Sequence, residues 1–593
     1  MGTKPTTTQN TFNNGELSPR ALGRFDLSKY VNSVKTLENW LIKQLGGVIF
    51  RPGTRYVADT KSDAVRSRLL EFNYSTTQNY IIEAGNLYFR FYTEDGQLQS
   101  GGSPVELVTI FATADLTKIR YTQNADTMYL FTGSNPVQKL TRTSATTFTI
   151  SQVDFVRGPF LDANVTSTTI TPSADTGTGI TLTISTDTFE SSHVGSFWRI
   201  KDGVVKITAV ASGTSATADV QAEPDGTAGN LNTSASAVTD WAEGAFSAKR
   251  GYPKTGVFHD GRLWVANTDH QVGGIWASQT FSYENMDVGT ALDNEAIVRE
   301  LDGDTVMAIR WLSSGPKNLQ AGTTGGPFTI SSGAQGIAIT PANITANHDS
   351  RFGCADIHSK RMFNFVYYAQ NNKKRILESG YFFDVDQNDS VDTMLLADHI
   401  LEPDIKDQKL FLRGDESTAG VFDMDTQQSP NNRLWVIRDD GQIAILTRNP
   451  RQEVNGWSRI TAGKTVSCDG ASGTGQFESI AVLQREGKPD QIWVIVNRII
   501  NGTNKRFVEY FTDEDFKYEW DAIRLDSSLT LDSPITITAI TLSNPIVITA
   551  PSHGLSAGDI VRLDNIVGTH QLNGNEYEIR NVTANTFEIG TPS

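Results

Sequence analysis

Cysteine is nearly missing from this chain. Its 593 residues hold two, Cys354 and Cys468, far apart. A disulfide framework is therefore excluded, and no CxxC or His/Cys cluster has the spacing of a zinc site. Two reduced thiols in a protein made in a cytosol are the expectation. Long apolar runs are missing too. No stretch of about 18 apolar residues occurs, and Met1-Gly2-Thr3-Lys4-Pro5 has no apolar h-region. Neither a membrane span nor Sec export is expected. A basic excess is also absent: Lys and Arg total 51 against 67 Asp and Glu, a formal charge of −16 with pI near 5.0. A protein that reads nucleic-acid sequence gains affinity from cations on phosphates, so that class is disfavoured. A passive DNA conduit remains open, because a carboxylate-lined wall repels phosphate and lets a duplex slide.

Helical periodicity is scarce, whereas Thr, Ser, Asn and Gly are abundant. That balance predicts strands and turns. Length over ~150 gives about four units, fewer if many blades share one propeller domain. From Leu69–Phe72, Tyr80–Glu83 and Leu87–Tyr92 onward, short apolar strands recur at spacings near ten residues, with turn signals such as Asp95-Gly96 and Asp260-Gly261 between them. A Trp-Val unit recurs at Leu263-Trp264-Val265, Leu434-Trp435-Val436 and Ile492-Trp493-Val494. Inner strands buried between neighbouring blades need large apolar side chains of this kind. A multi-sheet sandwich is the competing architecture.

The predicted fold class is all-β: a β-propeller-like core with an inserted β-domain and a small C-terminal β-barrel module. The divisions are an N-terminal arm at 1–60, propeller at 61–161, a Thr/Ser-rich inserted β-domain at 162–245, the rest of the propeller at 246–524, and the C-terminal module at 534–593. In the insertion, Ile180-Thr181-Leu182-Thr183-Ile184 alternates and Asp202-Gly203 marks a hairpin, so it reads as folded and not as a spacer. Residues 525–533 read as a linker.

The arm sets turn formers between opposite charges. Arg20, Arg24, Arg51 and Arg55 lie among Glu16, Asp26 and Glu38, a pattern suited to planar, charge-assisted contacts across an element boundary. The runs FNNGELSPRALGRFDLSKY and LENWLIKQLGGVIFRPGTRYVA resemble the N-terminal signature of phage tail nozzle proteins, the tail tubular protein B family of short-tailed, podovirus-like phages. The likeness continues through LLEFNYSTTQNYIIEAGNLYFRFY and DLTKIRYTQNADTMYLFTGSNPVQKLTR, about the first quarter of the chain. The C-terminal module, with Ser543-Asn544-Pro545, His553-Gly554-Leu555, Gly558-Asp559 and Leu572-Asn573-Gly574, resembles the FCCH-like β-module named after ubiquitin-activating enzymes. That likeness concerns fold and not ubiquitin chemistry.

The resemblance implies a structural virion protein, the distal tail nozzle or tube ring, acting as a channel for genome retention and ejection. It further implies a homo-oligomeric ring, a hexamer, below an adaptor or head–tail connector protein. Tail fibres or spikes would be further partners, and viral double-stranded DNA would pass through without being read. The location would be the virion tail after synthesis in the bacterial host cytoplasm. Glu16, Arg20, Arg24, Asp26, Tyr30, Asn39, Arg51, Pro52 and Arg55 are the expected subunit or adaptor contacts. The rival expectation is a tail component that binds or cleaves host-receptor carbohydrate, although no Asp-box turn is present.

No catalytic, cofactor or metal residue is predicted, and no enzyme activity is expected. Thr461-Ala462-Gly463-Lys464-Thr465 ends like a phosphate loop, but Ser458 stands where the leading glycine is needed. The stretch from Asp384 to Asp389 opens like a calcium loop, yet Asp389 replaces the turn glycine and Leu395 the bidentate Glu. Gly470-Ala471-Ser472-Gly473-Thr474 misses nucleophile-elbow spacing. The eight histidines are scattered, without HExxH. Close carboxylates such as Asp513 and Asp515 read as acidic turns.

Overall fold

A computed structural model describes residues 9–94, 96–223, 225–303, 305–333, 336–384, 387–402, 420–466, 472–500, 502–516, 522–529 and 535–589. Its core is a β-propeller of seven antiparallel sheets, numbered here as blades in chain order. Blades 1 and 2 occupy residues 68–108 and 120–152, and blades 3 to 6 occupy 255–300, 309–348, 360–392 and 421–460. Blade 7 takes three strands from 476–511 and its fourth from the beginning of the chain, Thr54–Asp59, which pairs with Thr503–Phe511. The early strand thus sits inside the last blade, although it falls within the arm of the sequence division. It joins the two ends of the circle, and a closed ring of blades leaves only short protected edges.

Each seam between blades is a separate apolar core, and the seven seams close in a circle. Leu70, Phe89 and Phe91 meet Met128, Leu140 and Phe148 between blades 1 and 2, while Leu69, Ile81 and Tyr92 meet Ala481, Trp493 and Ile495 between blades 1 and 7. This explains the Trp-Val unit. It lies on the second strand of blades 3, 6 and 7, not on the innermost strand. Both faces of that strand are covered, so it reads as a continuous apolar run instead of an alternation. Trp264, Trp435 and Trp493 face the following blade, while Val265, Val436 and Val494 face the preceding one. In blade 5, Tyr367 takes the tryptophan's place. Two sandwiched sheets would not generate seven seams.

The Asp260-Gly261 turn has φ of 47° and 69° and connects His259 directly to Arg262, so both central residues need the left-handed region. Asp95 of the other hairpin lies outside the described residues. Between blades 2 and 3 the insertion folds as its own six-stranded sheet from Ile170–Pro172 to Trp241–Glu243, around Leu182, Trp198, Ile200 and Ile207. Residues 539–589 form a five-stranded sheet curled over Ile548, Tyr577, Ile579 and Phe587. Cys354 is buried at the seam of blades 4 and 5, where burial pushes its thiol well above the ordinary range. Cys468 lies outside the described residues.

Candidate functional site

Two places gather charged side chains: the arm where it meets blade 6, and the axis of the propeller. The arm runs along the outer edge of blade 6. Gly15 pairs in parallel with Trp457, and Ser33–Val34 adds beyond it. Gly15 has φ of 62°, and a Cβ there would sit 2.3 Å from the Trp457 carbonyl oxygen, so only glycine permits this approach. Pairing this way covers an edge strand that would otherwise be a docking template.

The expected contact residues divide into two groups. Glu16 is fully buried. Its carboxylate faces His399 Nε2 at 3.0 Å and accepts from Arg459 at 2.8 and 3.2 Å and from the Leu37 amide at 2.9 Å. Burial raises its pKa, but these bonds and the Arg459 charge outweigh burial and hold it at about 2. Arg51 grips Asp526 through two bonds of 2.7 and 2.8 Å and donates to Asn39 Oδ1 at 3.1 Å. Asn39, at φ 62°, also binds both the amide and hydroxyl of Thr461. Pro52 is buried and accepts from Arg51, and the Arg55 backbone pairs with Tyr510 and bridges Ser528. These five residues clamp the arm to blades 6 and 7 of the same chain.

Arg20, Arg24, Asp26 and Tyr30 lie at the arm's tip instead. Arg20 reaches Asp398 at 3.0 Å with most of its side chain in solvent. Arg24 and Asp26 pair with each other at 2.6 and 2.7 Å, both more than half exposed. Tyr30 meets Phe25 edge-on at 4.9 Å. Phe25 is 78% exposed and Val31 65%, with Leu22 also exposed.

Along the axis, the innermost strands run parallel in step, with Glu71 beside Tyr121 and Asn73 beside Gln123. At the end where these strands begin, Arg120 binds Asp356 at 3.0 Å, and Arg68 donates to the Ile119 carbonyl and lies 3.7 Å from Asp423. Further along, Lys360 Nζ lies 2.7 Å from Asp425 and 3.0 Å from Glu71. Burial works against its charge, but the two carboxylates keep it protonated and raise its pKa well above the ordinary value. Side chains thus fill the propeller's own hole at that end. Sequence reasoning missed this cluster because its members are spread over several blades, each unremarkable locally.

Where they are described, the look-alike motifs bond within the chain. The Gly463 amide, which a phosphate loop would offer to an anion, donates to Asp526 at 2.7 Å. Asp389 lies in the strand Gln387–Asp392 and accepts from the Ser390 amide, while Val385, Asp386 and residues 467–471 lie outside the described residues. Among the described residues, no group of three or more His, Cys, Asp or Glu is placed to hold a metal ion. None of their helices is long and apolar enough to cross a membrane.

No protein-family model matches the chain, and no curated protein matches it. Among solved structures it is similar to YCF48 bound to D1 peptide, at 11% identity over 79% of this chain and 98% of that one, TM-score 0.34. It is also similar to Kluyveromyces lactis Hsv2, at 7% identity over 66% and 97%, TM-score 0.28. The Neurospora crassa Pan2 WD40 domain aligns at 9% identity over 67% and 89%, TM-score 0.24. These likenesses go no further than the propeller class.

Proposed function

We propose that this chain is architecture and not a catalyst: a subunit of the distal nozzle ring in the tail of a short-tailed phage, docked to an adaptor ring and closing with identical copies around a DNA channel. The observation that carries the reading is the arm. The stretch with the nozzle-like signature is anchored rigidly by Glu16, Asn39 and Arg51, yet presents Leu22, Phe25 and Val31 to solvent beside the Arg24–Asp26 pair. Apolar side chains rimmed by charge are the anatomy of a contact surface. The seven-seamed propeller behind it supplies a stiff wedge. Because side chains close one end of the hole within each propeller, the DNA path in this reading lies between subunits, where an acidic surface limits sticking. A ring of this kind uses two different faces of each copy.

Electron microscopy and light scattering of the purified chain test the reading, alone and mixed with the adaptor of the same phage. Rings with an open centre are expected. Phe25→Asp combined with Leu22→Asp should abolish them while leaving the melting temperature unchanged, since both side chains are exposed. A chain that stays monomeric with and without the adaptor, or virions that lack it, would overturn the reading.

A further inference from the structure

The third and fourth strands of blade 3 are joined by a long loop, residues 278–296. It sets Phe281, Val288 and Leu292 in solvent, at 79%, 43% and 59% exposure. The loop is not slack. The buried Arg262 guanidinium donates to the carbonyls of Ser278 at 2.7 Å and Glu295 at 2.6 Å, and to that of Asp293. The Thr280 amide bonds the Asn294 carbonyl at 3.0 Å, and the Leu292 amide bonds Glu295 Oε2 at 2.7 Å. Phe281 is held at φ 58°, its amide donating to the Gly261 carbonyl at 2.7 Å. A bulky residue is strained in the left-handed region, and here that strain keeps a phenyl ring in water. Strain kept in this way points to a use outside the fold. A braced apolar surface also loses little conformational freedom when a partner covers it.

The arm's tip matches this loop in apolar character and opposes it in charge. Within the chain, Arg20 pairs with Asp398, Arg24 with Asp26, Glu284 with Lys139 and Asp287 with Arg157. What is left on the tip is basic: Lys29 and Lys35 are exposed and form no salt bridge among the described residues. On the loop the remainder is acidic, since exposed Asp293 and half-buried Glu295 likewise form none. Apolar surfaces edged by opposite charges are complementary. They also lie at opposite ends of the propeller. Gly15 runs parallel to the last strand of blade 6, so the tip emerges at the end where the innermost strands begin. The loop lies at the other end, beside the Asp260-Gly261 turn of blade 3. One chain cannot bring the two together, so they meet only between copies, head to tail.

We infer that loop 278–296 is the docking site for the arm tip of a second copy of this chain, with Phe25 and Leu22 of one copy covering Phe281 and Leu292 of the next. The inference rests on the ring proposed above and names the two different faces that such a ring uses.

Two full-length variants test it by light scattering, at concentrations above those that give rings of the parent. Leu22→Asp with Phe25→Asp breaks the tip and spares the loop, whereas Phe281→Asp with Leu292→Asp breaks the loop and spares the tip. All four side chains are exposed, so both variants should melt like the parent. Each alone should lose the ring and stay monomeric. Mixed in equal amounts, they should form a one-to-one dimer and nothing larger, because one intact tip meets one intact loop and the other two surfaces are broken. Leu292→Asp alone, which leaves Phe281 in place, repeats the comparison should the double loop variant melt early. Rings of the loop variants like those of the parent, or no dimer on mixing, would overturn the inference and leave the nozzle reading standing. A parent that forms no ring under any condition would overturn both.

Discussion

Glu16 and Glu243 lie in separate parts of the chain yet share one arrangement. Each carboxylate is withdrawn from water, faces a histidine ring nitrogen, and takes two bonds from an arginine: His399 and Arg459 for Glu16, His193 and Arg250 for Glu243. Burial raises both pKa values, but the hydrogen bonds and charges prevail and hold each at about 2 against an ordinary 4.5. A lowered folded-state pKa stabilises the fold at pH values above the unfolded one, and that contribution disappears as pH falls from about 4.5 to about 2. For Glu16 a shift of that size corresponds to roughly 3 kcal/mol. Glu16→Gln is therefore expected to lose about 3 kcal/mol at neutral pH, and the difference from the parent should shrink across the acid window. Denaturant titrations at a series of pH values measure both. Parallel pH profiles for variant and parent would show that Glu16 is not the titrating group. The charge pairing of the arm was legible from residue types alone. Which partner each charge takes was not, because Glu16 and Arg459 are 443 positions apart and only the fold brings them together.

At the scale of elements, the strand Thr54–Asp59 and the inserted sheet are opposite cases. The strand completes blade 7, and its Val57 and Ala58 pack into the seam with blade 1. Without it, the circle is left with an unpaired edge and a thinned seam. The insertion instead leaves and re-enters at one point, where the Leu161 amide bonds the Glu243 carbonyl and Ala245 bonds Pro159, both at 2.8 Å, and its core is its own. Deleting residues 1–60 should abolish cooperative melting, whereas deleting 1–50, which spares the strand, should lower the transition and keep it. Replacing 163–241 by a short Gly/Ser link should leave the propeller transition within a few degrees, as surface-loop changes with nearby ends cost little. Circular dichroism melts of the three variants compare them directly, and a 1–60 deletion that melts like the 1–50 deletion would contradict the closing role. The blades were legible because turns such as Asp260-Gly261 and runs such as Leu434-Trp435-Val436 are local signals. The closure was not, since Thr54–Asp59 looks like any short strand and nothing local names a partner some 450 residues away.

For the whole molecule, the question is how many units melt together. Adjacent seams are built from opposite faces of the same strands, as Trp264 and Val265 or Trp435 and Val436 show, so a defect in one strains its neighbours and the propeller should behave as one cooperative body. The C-terminal sheet stands apart. Its core of Ile548, Leu563, Tyr577, Ile579 and Phe587 includes no blade residue among those described. The link to the blades is polar: Lys488 Nζ donates to the Asn573 carbonyl at 2.9 Å and lies 3.4 Å from Glu94 of blade 1. Partly exposed contacts of this kind contribute about 0–1 kcal/mol each, too little to couple two unfolding events. Calorimetry of the full chain should therefore show a separate small transition that vanishes when residues 534–593 are removed, with the propeller peak unmoved. Lys488→Ala should leave both peaks in place. A single transition in the full chain that drops several degrees on truncation would mean that the module is part of the propeller's cooperative unit, and that its attachment rests on more than the Lys488 contacts.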